Sequence, residues 1–256
     1  MTVGVVVFPG TNCELDVVRA VEHLGGSAEL LWHGDPSVGG CDAVVVPGGF
    51  AHGDYLRTGA IARFSPVMGA VADFAAAGGP VVGICNGFQV LTEAGLLPGA
   101  LQRNRGLRFV CQAVELRVES TRSVLTRLAS PGDVLRVPIN HFEGNYVCSP
   151  DELRRLHDED RVVVRYVDNP NGSLDDIAGI ANQAGNVVGL MPHPERASDT
   201  ILGSADGVVL LRSLLASAGE PASRSGTQPA SRSGTQPASR SGTQPASRSG
   251  TQPVSA

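Results

Sequence analysis

The sequence predicts an α/β fold: a single-domain, open and mostly parallel sheet, mixed at one edge, with helices on both faces. Three observations lead there. Continuous apolar runs such as VGVVVF (residues 3–8), DAVVVPGG (42–49), PVVGI (80–84) and NVVGLMPHPE (186–195) read as strands buried on both sides. Helix-forming segments alternate with them at the spacing of crossovers between parallel strands. FPG, PGG, GICNG and MPHPE stand at the ends of the runs, so four loops should converge on the carboxyl edge, where open parallel sheets build reactive sites.

In chain order, VGVVVF ends at Pro9 and Gly10, and Thr11 with Glu14 has the spacing of a capping box for a helix running to Gly25 and Gly26. AELLW (28–32) and DAVVVPGG supply two more strands. Ser65 and Pro66 open a second helix, PVMGAVADFAAA, which Gly78 and Gly79 close. Strand PVVGI and helix NGFQVLTEAG (86–95) follow. From Leu107 the texture changes: LRFVCQAVELRV alternates apolar and polar residues, and DVLRVPI, RVVVRYV and IAGIAN are strand-like with only short helices evident. NVVGLMPHPE is a buried strand running into a loop, and SADGVVLLRSLLASAG (204–219) a closing amphipathic helix.

Residues 1–220 have an ordinary composition and suffice for one domain with a sizeable core. After Glu220, PASRSGTQ occurs four times over residues 221–252 and is followed by PVSA. A segment so poor in large apolar residues cannot offset its ordering entropy and is expected to be a disordered tail. Its eight-residue period is also too short for a solenoid unit of the usual kind. Removing the four tail arginines from a formal net charge of −5 leaves −9 on residues 1–220. An acidic globule has no electrostatic footprint for nucleic acid or an anionic membrane. MTVGVVVFPG has neither a basic leader nor a cleavage-site pattern, and no apolar run is long enough to cross a bilayer, so a cytoplasmic location is expected. The five cysteines are dispersed without C-x-x-C spacing, which argues against a disulfide framework and a structural zinc.

Gly83 to Gly87 spells G-x-C-x-G, the thiol version of a nucleophile elbow. A sharp strand-to-helix turn of this kind strains the backbone and projects the nucleophile above the sheet, and the helix N-terminus behind it favours a thiolate. On these residues alone, Cys85 reads equally as a small side chain filling a tight corner. Cys13 also falls in a helix's first turn but lacks the elbow. A cysteine hydrolase needs a histidine to move protons and a third group to orient it. PHPE supplies both: the residue before a proline is extended, and side chains two apart on extended backbone point the same way, so Glu195 should hold His193. His52 and His141 occupy glycine-bearing loops and suit structural or substrate-positioning roles. No group of His, Cys, Asp and Glu has metal-ligand spacing, so no metal is expected. PGG offers backbone N–H groups near Gly48 and Gly49 for an oxyanion, and the N–H of Asn86 follows the nucleophile directly.

These residues, with FPGTNCELD, PGGFAHGDYLRTGAIARF, GICNGFQVLTEAGLLPGAL, NGSLDDIAGI, GLMPHPER and LGSADG, make the chain resemble the class I (triad-type) glutamine amidotransferases. Within that group it is similar to the family of small glutaminase subunits of phosphoribosylformylglycinamidine synthase, which serve purine biosynthesis. The resemblance implies a flavodoxin-like sheet and hydrolysis of glutamine through a Cys85 thioester, with His193 and Glu195 completing the triad. It implies that Gly48, Gly49 and Asn86 bind the oxyanion, and that Gln89 and Asn145 contact substrate. It also implies a large synthetase subunit that uses ATP and Mg, a small accessory subunit, and no cofactor bound by this chain itself. The absence of G-x-x-x-x-G-K-[ST] and of G-x-G-x-x-G after a strand agrees with ATP chemistry residing on another polypeptide. Ammonia released to water would be protonated, so docking is expected to shelter its transfer, with free glutaminase activity low until then. Two departures stand out: HFEGN has Phe142 where the family has glycine, and AHGDY has His52 where tyrosine is usual. The rival readings are a binding module with an inert elbow, which should show a broken triad, and a stand-alone cysteine peptidase or γ-glutamyl hydrolase.

Overall fold

The computed structural model describes residues 1–219; the repeat tail expected over 221–256 lies outside the described residues. The order is β1 (Thr2–Val7), α1 (Glu14–His23), β2 (Ser27–Trp32), β3 (Ala43–Val46), α2 (Pro66–Ala76), β4 (Val81–Ile84), α3 (Asn86–Glu93), β5 (Ala100–Gln102), β6 (Val110–Val118), β7 (Val134–His141), β8 (Asn145–Val147), α4 (Pro150–Asp158), β9 (Val162–Tyr166), β10 (Ile177–Ala181), β11 (Val187–Leu190) and α5 (Val208–Ala218). Among the described residues, nine strands form one sheet in the order β2-β1-β3-β4-β11-β10-β9-β6-β7, and β5 pairs with β8 apart from it.

From β2 to β11 the neighbours are parallel; from β11 to β7 every pair is antiparallel. The boundary follows the sequence texture. All residues of β3, β4 and β11 are buried, as expected of strands covered on both faces, whereas β6 and β7 alternate buried and accessible positions. The β1-to-β2 and β3-to-β4 crossovers step in opposite directions across the sheet, so right-handed connections put α1 and α2 on opposite faces. Alternation of direction beyond β11 makes β7 run the same way as β11. The carboxyl end of β7, at Asn140 and His141, therefore reaches the edge where β1, β3, β4 and β11 also end.

One expected device is not formed. Cys13 rather than Thr11 caps α1, without a side-chain cap, and the Thr11 hydroxyl instead accepts the Phe8 N–H at 3.0 Å, closing the FPG turn. Among the described residues no helix is long and apolar enough to cross a membrane.

Candidate active site

β4 passes into α3 through a single residue. Cys85 sits there at φ 51°, ψ −107°, a backbone conformation costly for a side chain with Cβ. The surroundings impose it. Its N–H donates to Leu190 O at 2.8 Å, and its carbonyl accepts from Phe88 and Gln89 in the first turn of α3. Gly87 allows α3 to press onto β3: a Cβ there would stand 1.8 Å from Val46 O. Cys85 is only 6 % exposed. It lines a cavity of about 340 Å³. Its Sγ is 3.6 Å from the Asn140 carbonyl at the end of β7.

His193 and Glu195 lie on the loop after β11, and His193 Nδ1 meets Glu195 Oε1 at 2.6 Å with both side chains buried. The pairing agrees with the sequence reading, but the backbone reaches it differently. His193, at φ −105°, ψ 84°, avoids the helical region, as a residue before proline should, while Glu195 already belongs to the 3-10 turn Pro194–Ala197 and curls back under the ring. The His193 N–H donates to Pro138 O at 2.9 Å, tying this loop to β7. Ring and nucleophile face one another across Gly48: a Cβ there would be 2.8 Å from His193 Cε1 and 3.5 Å from Cys85 Cβ. Only glycine leaves that space open. His193 Nε2 is buried without a hydrogen-bond partner, so the ring's second nitrogen is available to a reacting group.

The four loops expected at one edge do meet. Phe50 N–H donates to Gly10 O, Cys13 N–H to Gly48 O, and Cys85 N–H to Leu190 O. Gly49, at φ 146°, turns the PGG loop and lines the cavity. Gln89 lines it too, its side chain accepting from Asn86 Nδ2 at 2.9 Å and donating to the Glu143 carbonyl. The same Asn86 side chain also accepts the Ala51 N–H at 3.0 Å and donates to Asp54. Asn145 is not among the residues lining the cavity. It opens β8, opposite Gln102 of β5, and its Nδ2 donates to Arg103 O. Phe142 stands at the cavity with Arg103 over its ring at 5.9 Å, whereas His52 packs on Phe8 and His33 away from the lining.

Residues 1–206 match the CobB/CobQ-like glutamine amidotransferase domain. The chain belongs to this amidotransferase family. It is 59 % identical over 218 residues to phosphoribosylformylglycinamidine synthase subunit PurQ of Rubrobacter xylanophilus, covering 85 % of this chain and 99 % of that one. To the protein of the same name from Prochlorococcus marinus it is 54 % identical, covering 84 % of this chain and all of the relative. Among solved structures, a chain of PurLQS from Thermotoga maritima superposes with a TM-score of 0.78 at 40 % identity, covering 84 % of this chain and 97 % of the other.

In this amidotransferase several groups around Cys85, His193 and Glu195 are invisible to motif reading. Burial by itself lowers the pKa of His193, but the Glu195 carboxylate, followed by the Cys85 sulfur, outweighs it and raises the value above that of an ordinary imidazole. His141, 3 % exposed, also lines the cavity. Burial and the neighbouring His193 lower its pKa to about 4, so it is neutral, and its Nδ1 meets Asn104 Oδ1 at 3.1 Å. Cys13 is a second thiol in the same cavity. Its Sγ lies within 4.8 Å of ligand atoms of His193 and Glu195, a grouping assembled from two distant loops that local spacing could not reveal. Arg196 donates to that Sγ at 3.2 Å, and a guanidinium there opposes any cation. Asp54 lines the wall with no ion pair among the described residues, and burial, opposed by the Asn86 hydrogen bond and reinforced by Glu143, raises its pKa to about 6.

Proposed function

We propose that this chain is the glutaminase subunit of phosphoribosylformylglycinamidine synthase. It hydrolyses glutamine to glutamate and passes the ammonia to a synthetase subunit that converts formylglycinamide ribonucleotide to formylglycinamidine ribonucleotide. The observation that carries the chemistry is the buried His193–Glu195 pair facing a strained Cys85 across Gly48. The identity of more than 50 % with the PurQ relatives over nearly their whole length carries the substrate and the pathway.

In this reading the Cys85 thiolate attacks the side-chain carbonyl carbon of glutamine. The oxygen takes up negative charge and is held by main-chain N–H groups of the Gly48–Gly49 loop and Asn86. As the C–N bond breaks, His193 gives its Nε2 proton to the departing nitrogen, which leaves as ammonia, and a γ-glutamyl thioester remains on Cys85. The neutralised imidazole then takes a proton from water; the hydroxide adds to the thioester, the C–S bond breaks, and glutamate departs. Glu195 fixes the tautomer and orientation of His193 and stabilises its cationic form. Gln89 contacts the substrate from the first turn of α3. ATP and Mg are used by the large synthetase subunit, a small accessory subunit completes the assembly, and the complex works in the cytoplasm.

The test is Cys85→Ala in the complex reconstituted with its synthetase. Glutamine-dependent amidine formation should fall at least a thousandfold while ammonia-dependent formation stays within about twofold of wild type. Loss of both activities would contradict the division of labour.

A further inference from the structure

Resting on the glutaminase reading, a glutamine whose carboxamide meets Cys85 must put its α-amino acid head further out in the same cavity. That head is a zwitterion, and five charged side chains line the cavity: Asp54, Arg57, Arg103, Glu143 and Arg196. Most are already paired. Arg57 grips Glu93 through two hydrogen bonds of 2.7 and 2.6 Å, and Arg196 holds Asp16 at 3.1 Å. Arg103, itself largely exposed, makes a looser contact with Glu143 at 3.6 Å, which exchanges partners at little cost.

Asp54 differs from all of these. It accepts one neutral hydrogen bond, from Asn86 Nδ2 at 3.2 Å, and has no ion pair among the described residues. The backbone that carries it is strained: His52, Gly53 and Asp54 are at φ 53°, 68° and 53°, and Leu56 at 69°. Successive left-handed residues with side chains cost free energy and persist where the surroundings hold them, characteristically at ligand clamps. Here the surroundings are the nucleophile's own helix. Asn86, the residue after Cys85, bonds both Asp54 and the Ala51 N–H. A half-buried carboxylate lacking a counter-ion, held in register with the nucleophile, is complementary to an ammonium group.

We propose that Asp54 is a specificity-determining residue of the glutaminase: its carboxylate receives the α-ammonium of glutamine, while Arg103, from a separate segment of the cavity lining, receives the α-carboxylate. The residue then selects α-amino acids over other primary amides.

The experiment compares glutamine with 4-carbamoylbutanoate, which is glutamine without its amino group, as substrates of the full chain in complex with its synthetase. Wild type should prefer glutamine strongly in kcat/KM. Asp54→Asn, which keeps the shape and the neutral contact, should lower kcat/KM for glutamine about a hundredfold, chiefly through KM, as expected for removing one partner of a desolvated charge pair. For 4-carbamoylbutanoate it should change kcat/KM less than about threefold, so that the preference collapses, and Asp54→Glu should restore part of it. Equal losses on both substrates would make Asp54 a structural support of Asn86, and no loss on glutamine would place the ammonium elsewhere; either result overturns the inference. A wild-type complex inactive on both compounds would refute the glutaminase reading itself.

Discussion

Cys13 and Cys85 both stand at the N-terminus of a helix that follows a parallel strand, both are buried, and both line one cavity. Their turns are built differently. Between β1 and α1 the chain takes a loop, and Cys13 rests at φ −107°, ψ 7°. Between β4 and α3 there is only Cys85, driven to φ 51°. The Cys13 thiol donates to Asn12 Oδ1 and accepts from Arg196, the pattern of a protonated, satisfied group. Cys85 Sγ stands 3.6 Å from a main-chain carbonyl and interacts with the buried His193 imidazole. A helix N-terminus and a place in the cavity are therefore common to both, and neither makes a nucleophile. The strained turn and the neighbouring His193–Glu195 pair set Cys85 apart.

The contrast is broken most severely two residues past each cysteine. Gly87→Ala puts a Cβ 1.8 Å from the Val46 carbonyl, a backbone atom that cannot step aside, so α3 must lift from β3. We expect a loss of about 4 kcal/mol or more in denaturant unfolding, and no measurable glutaminase. Leu15, two residues past Cys13, is 48 % exposed, and Leu15→Ala should stay within about 0.5 kcal/mol of wild type.

A milder change separates the acids behind the two thiols. Glu195→Gln keeps the shape that faces His193 but removes the charge that favours its cationic form, so kcat should fall by about 10² to 10⁴. Asp16 stands behind Cys13 through Arg196 at 3.1 Å, and Asp16→Asn should leave kcat within about twofold. Steady-state glutaminase assays of both variants decide the point; comparable losses would mean that Cys13 shares in the chemistry.

The same two turns show how far the sequence could be read. Short apolar runs revealed β1, β3, β4 and β11 because strands buried on both faces carry their signal locally, and G-x-C-x-G with H-x-E marked Cys85, His193 and Glu195, which the fold brings together. Capping signals were less decisive. Thr11 with Glu14 had the right spacing, yet the FPG turn recruits the Thr11 hydroxyl; at α4, by contrast, Ser149 Oγ accepts the Glu152 N–H at 3.2 Å. The rest of the site depends on pairings remote in sequence. The Asn140 carbonyl reaches Cys85 only because four antiparallel pairings carry β7 to the same edge. Asp54 and Cys13 enter the cavity through loop contacts with the PGG turn and with Asn86, which no local period encodes. Asn145 follows closely on β7 in sequence, but its pairing with β5 takes it away from the cavity.

The smallest expected effect tests the Cys13 side of the contrast directly. Burial, partly offset by Arg196, pushes the Cys13 thiol from an ordinary 9.0 up to about 12. Unfolded, the thiol loses its proton near 9; folded, it keeps it until near 12. Over that window the native state binds more protons than the unfolded one, so the stabilisation present below pH 9 declines as pH rises towards 12. Cys13→Ala removes this contribution, and Cys41, also raised to about 12 by burial and Glu29, leaves a second one in place. Urea unfolding at pH 8 and pH 10.5 should therefore show a shallower alkaline loss in the variant than in wild type, with glutaminase activity changed less than about threefold at neutral pH. An identical alkaline slope would mean that Cys13 ionises over the same pH range folded and unfolded, so that burial does not hold its proton, and would erase this distinction between the two turns.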